Sequence, residues 1–367
     1  MTETRESPAT RAALAEGEQF QPGAPAGERP ASPPGALVEA LEREIERVLD
    51  PLIPADRPVA LMDFPEAPNV GDSMIWAGTL RYLARRGATI RYTCSNSSWS
   101  PATLGRRIGD GTILLSGGGN FGDLYPDHQE LREAVIEAFP RHRIVQLPQS
   151  VHFESTAALE RARVLVGRHP GVTLLARDQA TLAQMERSFD APATLCPDMA
   201  FALGMLPRTP AVAPVVWLAR MDKESRVAHG PAPSGVERCD WLTDDPSLAD
   251  GARHLLRRFM GHWPRLGPLL HEPLAATYPA VAAERVERGR RILSRGRVVV
   301  SDRLHAHVLC LLLGVPHMVL DNTYGKVRAL YDTWTHDSPL ATWCEHEAEA
   351  LERALALAAT LGGGAGD

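Results

Sequence analysis

The stretch RVVVSDRLHAHVLCLLLGVPHMVLD, Arg297 to Asp321, holds a complete folding unit. Val298–Ser301 is a short β-branched run that reads as a strand. Ser301 or Asp302 can cap a helix over Arg303–Leu313, Gly314-Val315-Pro316 stops it, and Met318–Asp321 reads as a second strand. Strand, helix and strand in such close succession form a parallel βαβ crossover. The elements are apolar along nearly their whole length, as elements covered on both sides must be. Against that background Arg303, His305 and His307 stand out. Arg303 and His305 fall in the first helical turn, whose unpaired N–H groups and dipole favour an anion in front of it. His307 lies deeper in the helix and reads as a packed side chain.

The same alternation runs outward from this unit. Upstream, strands are expected at Val59–Phe64, Thr89–Thr93, Thr112–Ser116, Arg143–Leu147, Val172–Ala176 and Ala193–Cys196. Helices are expected at Ala36–Leu49, Ser73–Arg86, Asp127–Phe139, Thr156–Val166 and Asp178–Arg187. A linker with Pro207, Pro210 and Pro214 leads to a strand at Val215–Ala219, a polar, Pro-rich insertion and a helix near Ala252–Met260. A helix at Tyr324–Trp334 follows the opening unit, and an alanine-rich helix, Glu345–Leu361, closes the chain. The 367 residues exceed the roughly 250–300 at which single cores stop growing. The expected fold class is therefore α/β, with two Rossmann-like doubly wound domains facing a cleft. Their bounds are residues 36–206 and 207–340, with a disordered, proline-rich leader over 1–35 and a C-terminal helix and flexible tail over 341–367. The acidic stretch Glu237–Asp250 is expected to be mobile.

Composition narrows the function classes. The 39 Lys+Arg against 45 Asp+Glu give a formal charge of −6, with no basic excess for a nucleic-acid partner. Cys94, Cys196, Cys239, Cys310 and Cys344 are scattered without a C-x-x-C pair, which fits neither a disulfide framework nor a zinc site and points to a reducing, cytoplasmic home. The longest apolar run, Val308–Leu320, is broken by Gly314, Pro316 and His317 and falls short of the roughly 20 residues a membrane span takes. No metal-ligand cluster is visible.

Open parallel sheets bind ligands where strands hand over to helices at their carboxyl ends. The loop after the first strand carries Gly71 and Asp72, which read either as a capped tight turn or as a place where backbone approaches a ligand. The third strand ends in Gly117, Gly118, Gly119 and Asn120, a turn or, preferably, an anion-binding nest of backbone N–H groups. It lacks the lysine and the hydroxyl of a Walker loop. Gln149, Ser150 and His152 follow the next strand, and Arg177 the one after, where it can clamp an anion or pair with Asp198. In the second half, Arg220, Asp222 and Glu224 follow one strand and Lys326, through Gly325, another.

In this order NVGDSMIW (69–76), SGGGNFGDLYP (116–126), QLPQSVHF (146–153), ARD (176–178), PDMAFAL (197–203), ARMDKES (219–225), SDRLHAHVLCLLLGVP (301–316) and DNTYGKV (321–327) resemble the polysaccharide pyruvyl transferase family. The resemblance covers roughly Val59–Trp334, and the ordered set rather than any one motif carries it. It implies a GT-B-like pair of Rossmann-like domains and transfer of a pyruvyl group from phosphoenolpyruvate to sugar hydroxyls, forming a cyclic ketal and releasing phosphate. It implies His305 as general acid, Arg303 and Arg177 as partners of the donor's phosphate and carboxylate, and His152 and Lys326 as further site residues. No cofactor and no metal are expected. The acceptor would be a sugar or a lipid-linked oligosaccharide, the latter bringing the enzyme to a membrane periphery. The base that deprotonates the hydroxyl is left open, with His152 and Asp72 as candidates. Residues 224–292 match no motif of the family. The rival readings are a GT-B-type glycosyltransferase using a nucleotide sugar and a catalytically silent relative.

Overall fold

Two parallel β-sheets organise the chain. The computed structural model describes residues 34–219, 232–242, 247–263, 265 and 267–363. Most of the expected leader therefore lies outside the described residues, as do Arg220, Asp222, Glu224 and the last four residues of the tail. Pro34 and Gly35 open the first helix, α1 (Pro34–Leu49).

The first sheet is built from β1 (Val59–Met62), β2 (Ile90–Thr93), β3 (Thr112–Leu115), β4 (Gly118–Gly122), β5 (Arg143–His152), β6 (Val172–Ala176) and β7 (Ala193–Leu195). Their order is β2-β1-β3-β5-β6-β7, and β4 pairs with the far half of β5. Between them run α2 (Val70–Arg85), α3 (Pro101–Ile108), α4 (Pro126–Ala138), α5 (Thr156–Arg168) and α6 (Gln179–Ser188). The second sheet has β8 (Ala213–Leu218), β9 (Val236–Cys239), β10 (Gly296–Ser301), β11 (His317–Val319) and β12 (Ala341–Trp343) in the order β12-β11-β10-β8-β9. Its helices are α7 (Leu248–His262), α8 (Gly267–Ala275), α9 (Tyr278–Ser294), α10 (Leu304–Leu313), α11 (Lys326–Leu330) and α12 (Glu347–Gly363).

Strand alternation splits the core into three layers. Val59 and Leu61 of β1 join Val216 and Leu218 of β8 in one central cluster, while Ala60 and Met62 face an outer cluster and Val215 and Trp217 another. Each sheet thus buries both faces, which is why its strands are continuous apolar runs. In both sheets the chain reverses its direction of strand addition beside the first strand, between β1 and β3 and between β8 and β10. Those switch points are where such sheets open a crevice for ligands.

Four differences from the sequence reading have identifiable causes. The glycine loop is the strand β4, paired with Gln149–His152, and a side chain on Gly122, at φ 126°, would run into the His152 carbonyl. Residues 278–294, part of the unassigned insertion, form α9, which lies against α2 and α10; a Cβ on Gly289 would meet Val70 at 2.5 Å and Leu309 at 3.1 Å. The acidic stretch begins as strand β9 and continues into Trp241, which is 1% exposed. Ala341–Trp343 is an edge strand of the second sheet, and α12 packs its Ala350, Leu351 and Ala354 into the outer cluster with Val298 and Val300.

Candidate functional site

α2 begins at Val70, three residues earlier than expected, because Asn69 is its N-cap. The Asn69 side chain accepts from the Gly71 N–H at 3.0 Å and donates to Asp72 at 2.8 Å. Gly71 and Asp72 therefore sit in the first helical turn. A Cβ on Gly71 would overlap the His305 imidazole, so the missing side chain is what lets that ring lie against the helix.

The opposite wall is the start of α10. The Ser301 hydroxyl accepts from the Arg303 N–H at 3.1 Å and donates to the Leu218 carbonyl at 2.9 Å, tying the cap to the adjacent strand. Arg303 is buried and its guanidinium lies 2.8 Å from Asp240. His305 points its Nε2 at Asp198, 3.5 Å away, and that nitrogen has no close hydrogen-bond partner. The same Asp198 takes a hydrogen bond from Arg177 Nη1 at 3.0 Å and one from the Ala200 N–H at 2.9 Å. Burial opposes ionisation of Asp198, but facing His305, Arg177 and that N–H hold its carboxyl below the usual carboxylate range. Arg177 also donates through Nε to Ser150 at 2.8 Å. The Arg177–Asp198 pairing weighed from sequence is thus real, and it leaves Nη2 directed at Gly119.

Gly119 is where cations converge. A Cβ there would stand 3.3 Å from Arg177 Nη2 and 3.2 Å from Lys326 Nζ, one from each sheet's half of the chain. The Lys326 N–H donates to the Asn322 side chain, which fixes the start of α11. The expected nest takes a different form at Asn120: its N–H donates to Gln149 and its side-chain oxygen accepts from Arg132 at 3.0 Å, so the residue is a structural junction.

Sequence reasoning passed over Asp63 and His128. Asp63 follows β1 at φ 70°, the only non-glycine residue at positive φ among the described residues, and is 6% exposed. His128, in the first turns of α4, approaches both its carboxylate oxygens through Nδ1 at 2.8 and 2.9 Å. Burial works against a charged His128, but the carboxylates of Asp63 and Asp72 raise its pKa above the ordinary histidine value. A lone acid closing an apolar strand at its carboxyl end was the available signal.

These groups line one cleft of 310 Å³, with Asp63, Asp72, Gly117, Gly119, Asn120, His128, Arg177, Arg303, His305 and Lys326 on its walls beside Tyr125, Trp241 and Asn322. His152 is not among the lining residues: it lies 3.5 Å from Glu154 with its ring against Tyr324. Gly118 turns the strand behind the wall at φ 125°. The insertion frames the rim, where Arg285 donates to the Pro65 and Ala67 carbonyls at 2.9 Å and Arg288 to those of Pro68 and Trp241 at 2.7 Å. His307 is packed as expected, 2.7 Å from both His317 and Thr335.

Two parallel sheets with a cleft at their carboxyl ends, walled by cations and two imidazole–carboxylate pairs, define an α/β protein whose cleft has the chemistry to accommodate an anion beside titratable groups. Residues 69–324 match the family model described as polysaccharide pyruvyl transferase, and the chain belongs to that family of transferases. It is 34% identical over 295 residues to Pyruvyl transferase 1 of Schizosaccharomyces pombe, covering 77% of this chain and 71% of that one. It is 31% identical to Putative pyruvyl transferase EpsO of Bacillus subtilis, covering 84% and 94%. A solved structure of an uncharacterised Klebsiella pneumoniae protein shares the fold at a TM-score of 0.55 and 16% identity, over 83% of this chain and 99% of that one.

Proposed function

We propose that the cleft transfers the pyruvyl group of phosphoenolpyruvate to two hydroxyls of a sugar in a polysaccharide or glycolipid precursor, forming a cyclic ketal and releasing phosphate. The observation that carries this reading is the convergence of Arg177 and Lys326 on Gly119 within the cleft that His305 also lines. A donor with a phosphate and a carboxylate needs such cations, Arg303 being the third, and their fixed positions stabilise charge as it moves in the transition state. His305 delivers a proton to C3 of the enol while the sugar oxygen bonds to C2. His128, oriented by Asp63, takes the proton from that hydroxyl; a histidine pKa raised towards the operating pH suits the task. Loss of phosphate opens C2 to the second hydroxyl, whose proton leaves as the ring closes. One donor and one diol give one ketal and one inorganic phosphate.

In this reading residues 36–206 and 207–340 are the two Rossmann-like halves of a GT-B-like enzyme, and five unpaired cysteines fit a cytoplasmic setting. A nucleotide-sugar glycosyltransferase would offer a carboxylate to a ribose after β11. Asp321 stands there, with one carboxylate oxygen accepting from the N–H groups of Asn322 and Arg328 at 2.9 and 3.2 Å, and it is not among the residues that line the cleft. The test is phosphate release from phosphoenolpyruvate over a panel of galactose, mannose and glucuronate glycosides. Stoichiometric phosphate and ketal support the reading. Release of a nucleoside diphosphate from a nucleotide sugar, with no phosphate from phosphoenolpyruvate, overturns it.

A further inference from the structure

Away from the cleft, exposed apolar side chains among the described residues concentrate in one region. Of the eight large hydrophobic residues exposed among the described ones, five lie between residues 248 and 269: Leu248, Leu255, Phe259, Trp263 and Leu269, at 94, 55, 40, 51 and 74% exposure. Leu255, Phe259 and Trp263 are spaced by four, so they form one stripe along α7, and Phe259 and Trp263 stack with ring centroids 5.2 Å apart. The adjoining face of α7 holds the helix on the protein through partly buried Leu256 and Met260. The stripe is therefore surplus to the fold.

Charge completes the pattern. Residues 251–271 contain four arginines and three histidines but no Asp or Glu, in a chain whose formal charge is −6. Arg258 and His262 lie alongside the apolar stripe, and Arg265 is exposed just beyond it. Beneath this ridge a second cavity, of 810 Å³, separates α7 and α8 from the loop before α3. Its lining includes Arg257, Arg258 and Ser100, and also His271, which is 3% exposed with no hydrogen-bond partner for either ring nitrogen. A buried imidazole left unsatisfied beside arginines and a helix N-terminus suits an anionic oxygen ligand.

We propose that α7 and α8 form a membrane-docking surface that seats the protein on an anionic phospholipid bilayer, with Leu255, Phe259 and Trp263 at the acyl boundary and a headgroup phosphate in the cavity at His271. Apolar tips flanked by arginines are the composition that holds a helix in the interfacial plane. A second copy of this chain is the poorer occupant, because a two-fold contact would set this arginine-bearing segment, which has no Asp or Glu over 251–271, against itself. The surface adjoins the cleft through Glu66, a cleft-lining residue that pairs with Arg257 at 2.6 Å and accepts from Ser97 at 2.6 Å. Docking would therefore hold the cleft mouth near the bilayer. The inference stands independently of the proposed reaction.

Co-sedimentation of the full chain with phosphatidylcholine vesicles, with and without phosphatidylglycerol, tests it. Partitioning is expected to be at least about tenfold stronger on the anionic vesicles and to fall with added salt. Arg258→Glu should weaken it about fivefold or more, and the exposed double variant Phe259→Ser/Trp263→Ser should largely abolish it while leaving the thermal midpoint unchanged. His271→Phe should weaken only the anionic component. No binding to anionic vesicles overturns the proposal, as does binding that all three variants retain. Dimerisation in analytical ultracentrifugation that Phe259→Ser/Trp263→Ser abolishes, without vesicle binding, would assign the ridge to a second copy instead.

Discussion

The two walls of the cleft each place a histidine against a buried carboxylate, and the pairs differ in what else the carboxylate holds. Asp198 already takes Arg177 and the Ala200 N–H, so His305 stands off at 3.5 Å with its Nε2 otherwise without a hydrogen-bond partner. Asp63 gives its carboxylate to His128 at 2.8 Å, with the Asn120 amide as its other contact at 3.4 Å. In the proposed reaction the first imidazole gives a proton and the second, fixed through Nδ1, accepts one through its far nitrogen. In that reading the same residue types take opposite roles, set by the other partners on each acid.

Removing the first histidine is the severest way to break this comparison. His305→Gln keeps a ring-sized amide but no titrating proton, and turnover should fall by about 10³ or more with an unchanged thermal midpoint. Near-normal turnover on a verified acceptor would take the acid role away from that wall. Asp63→Asn comes next, with an expected loss of about 10² in kcat. It should also move the NMR titration of His128 to lower pH, because the neighbouring carboxylate that raises that pKa is gone. The corresponding stability contribution has a definite sign. A histidine raised on folding stabilises below its unfolded pKa, roughly 6.5, and loses that contribution as pH climbs through the folded value, so Asp63→Asn should cost more stability at pH 5 than at pH 8. The mildest change is Gly71→Ala, whose methyl would force the His305 ring off α2. About tenfold lower kcat with about 1–3 kcal/mol less stability in urea unfolding is expected; an unaltered kcat would mean that the ring position is not set by that glycine.

Legibility from sequence followed how far a signal was local. The βαβ unit around Val298–Ser301 was readable because apolar period, cap and glycine stop agree within one short segment. β4 was not, since a strand of Gly-Gly-Asn-Phe-Gly has no apolar alternation and exists because β5 runs past Pro148 to receive it. α9 escaped because part of its buried face is arginine: Arg285 and Arg288 count as surface in any hydropathy pattern, yet they are buried by donating to the loop carbonyls after β1. His152 and Lys326 looked alike as single polar residues after strands. Only the direction of each side chain separates the one against Tyr324 from the one at Gly119.

The sequence by itself determined the α/β class, the handover points where Arg177, Arg303, His305 and Lys326 sit, and the family that their order resembles. Those features rest on periodicity and spacing, which are properties of neighbouring residues. The tertiary structure alone decided which handover points face one another, that Asp198 is shared by Arg177 and His305, and that Asp63 and His128 meet across 65 positions of chain. Such pairings depend on sheet order and on close packing at Gly71 and Gly289, and no local pattern encodes the distance between residues that only the completed core brings together.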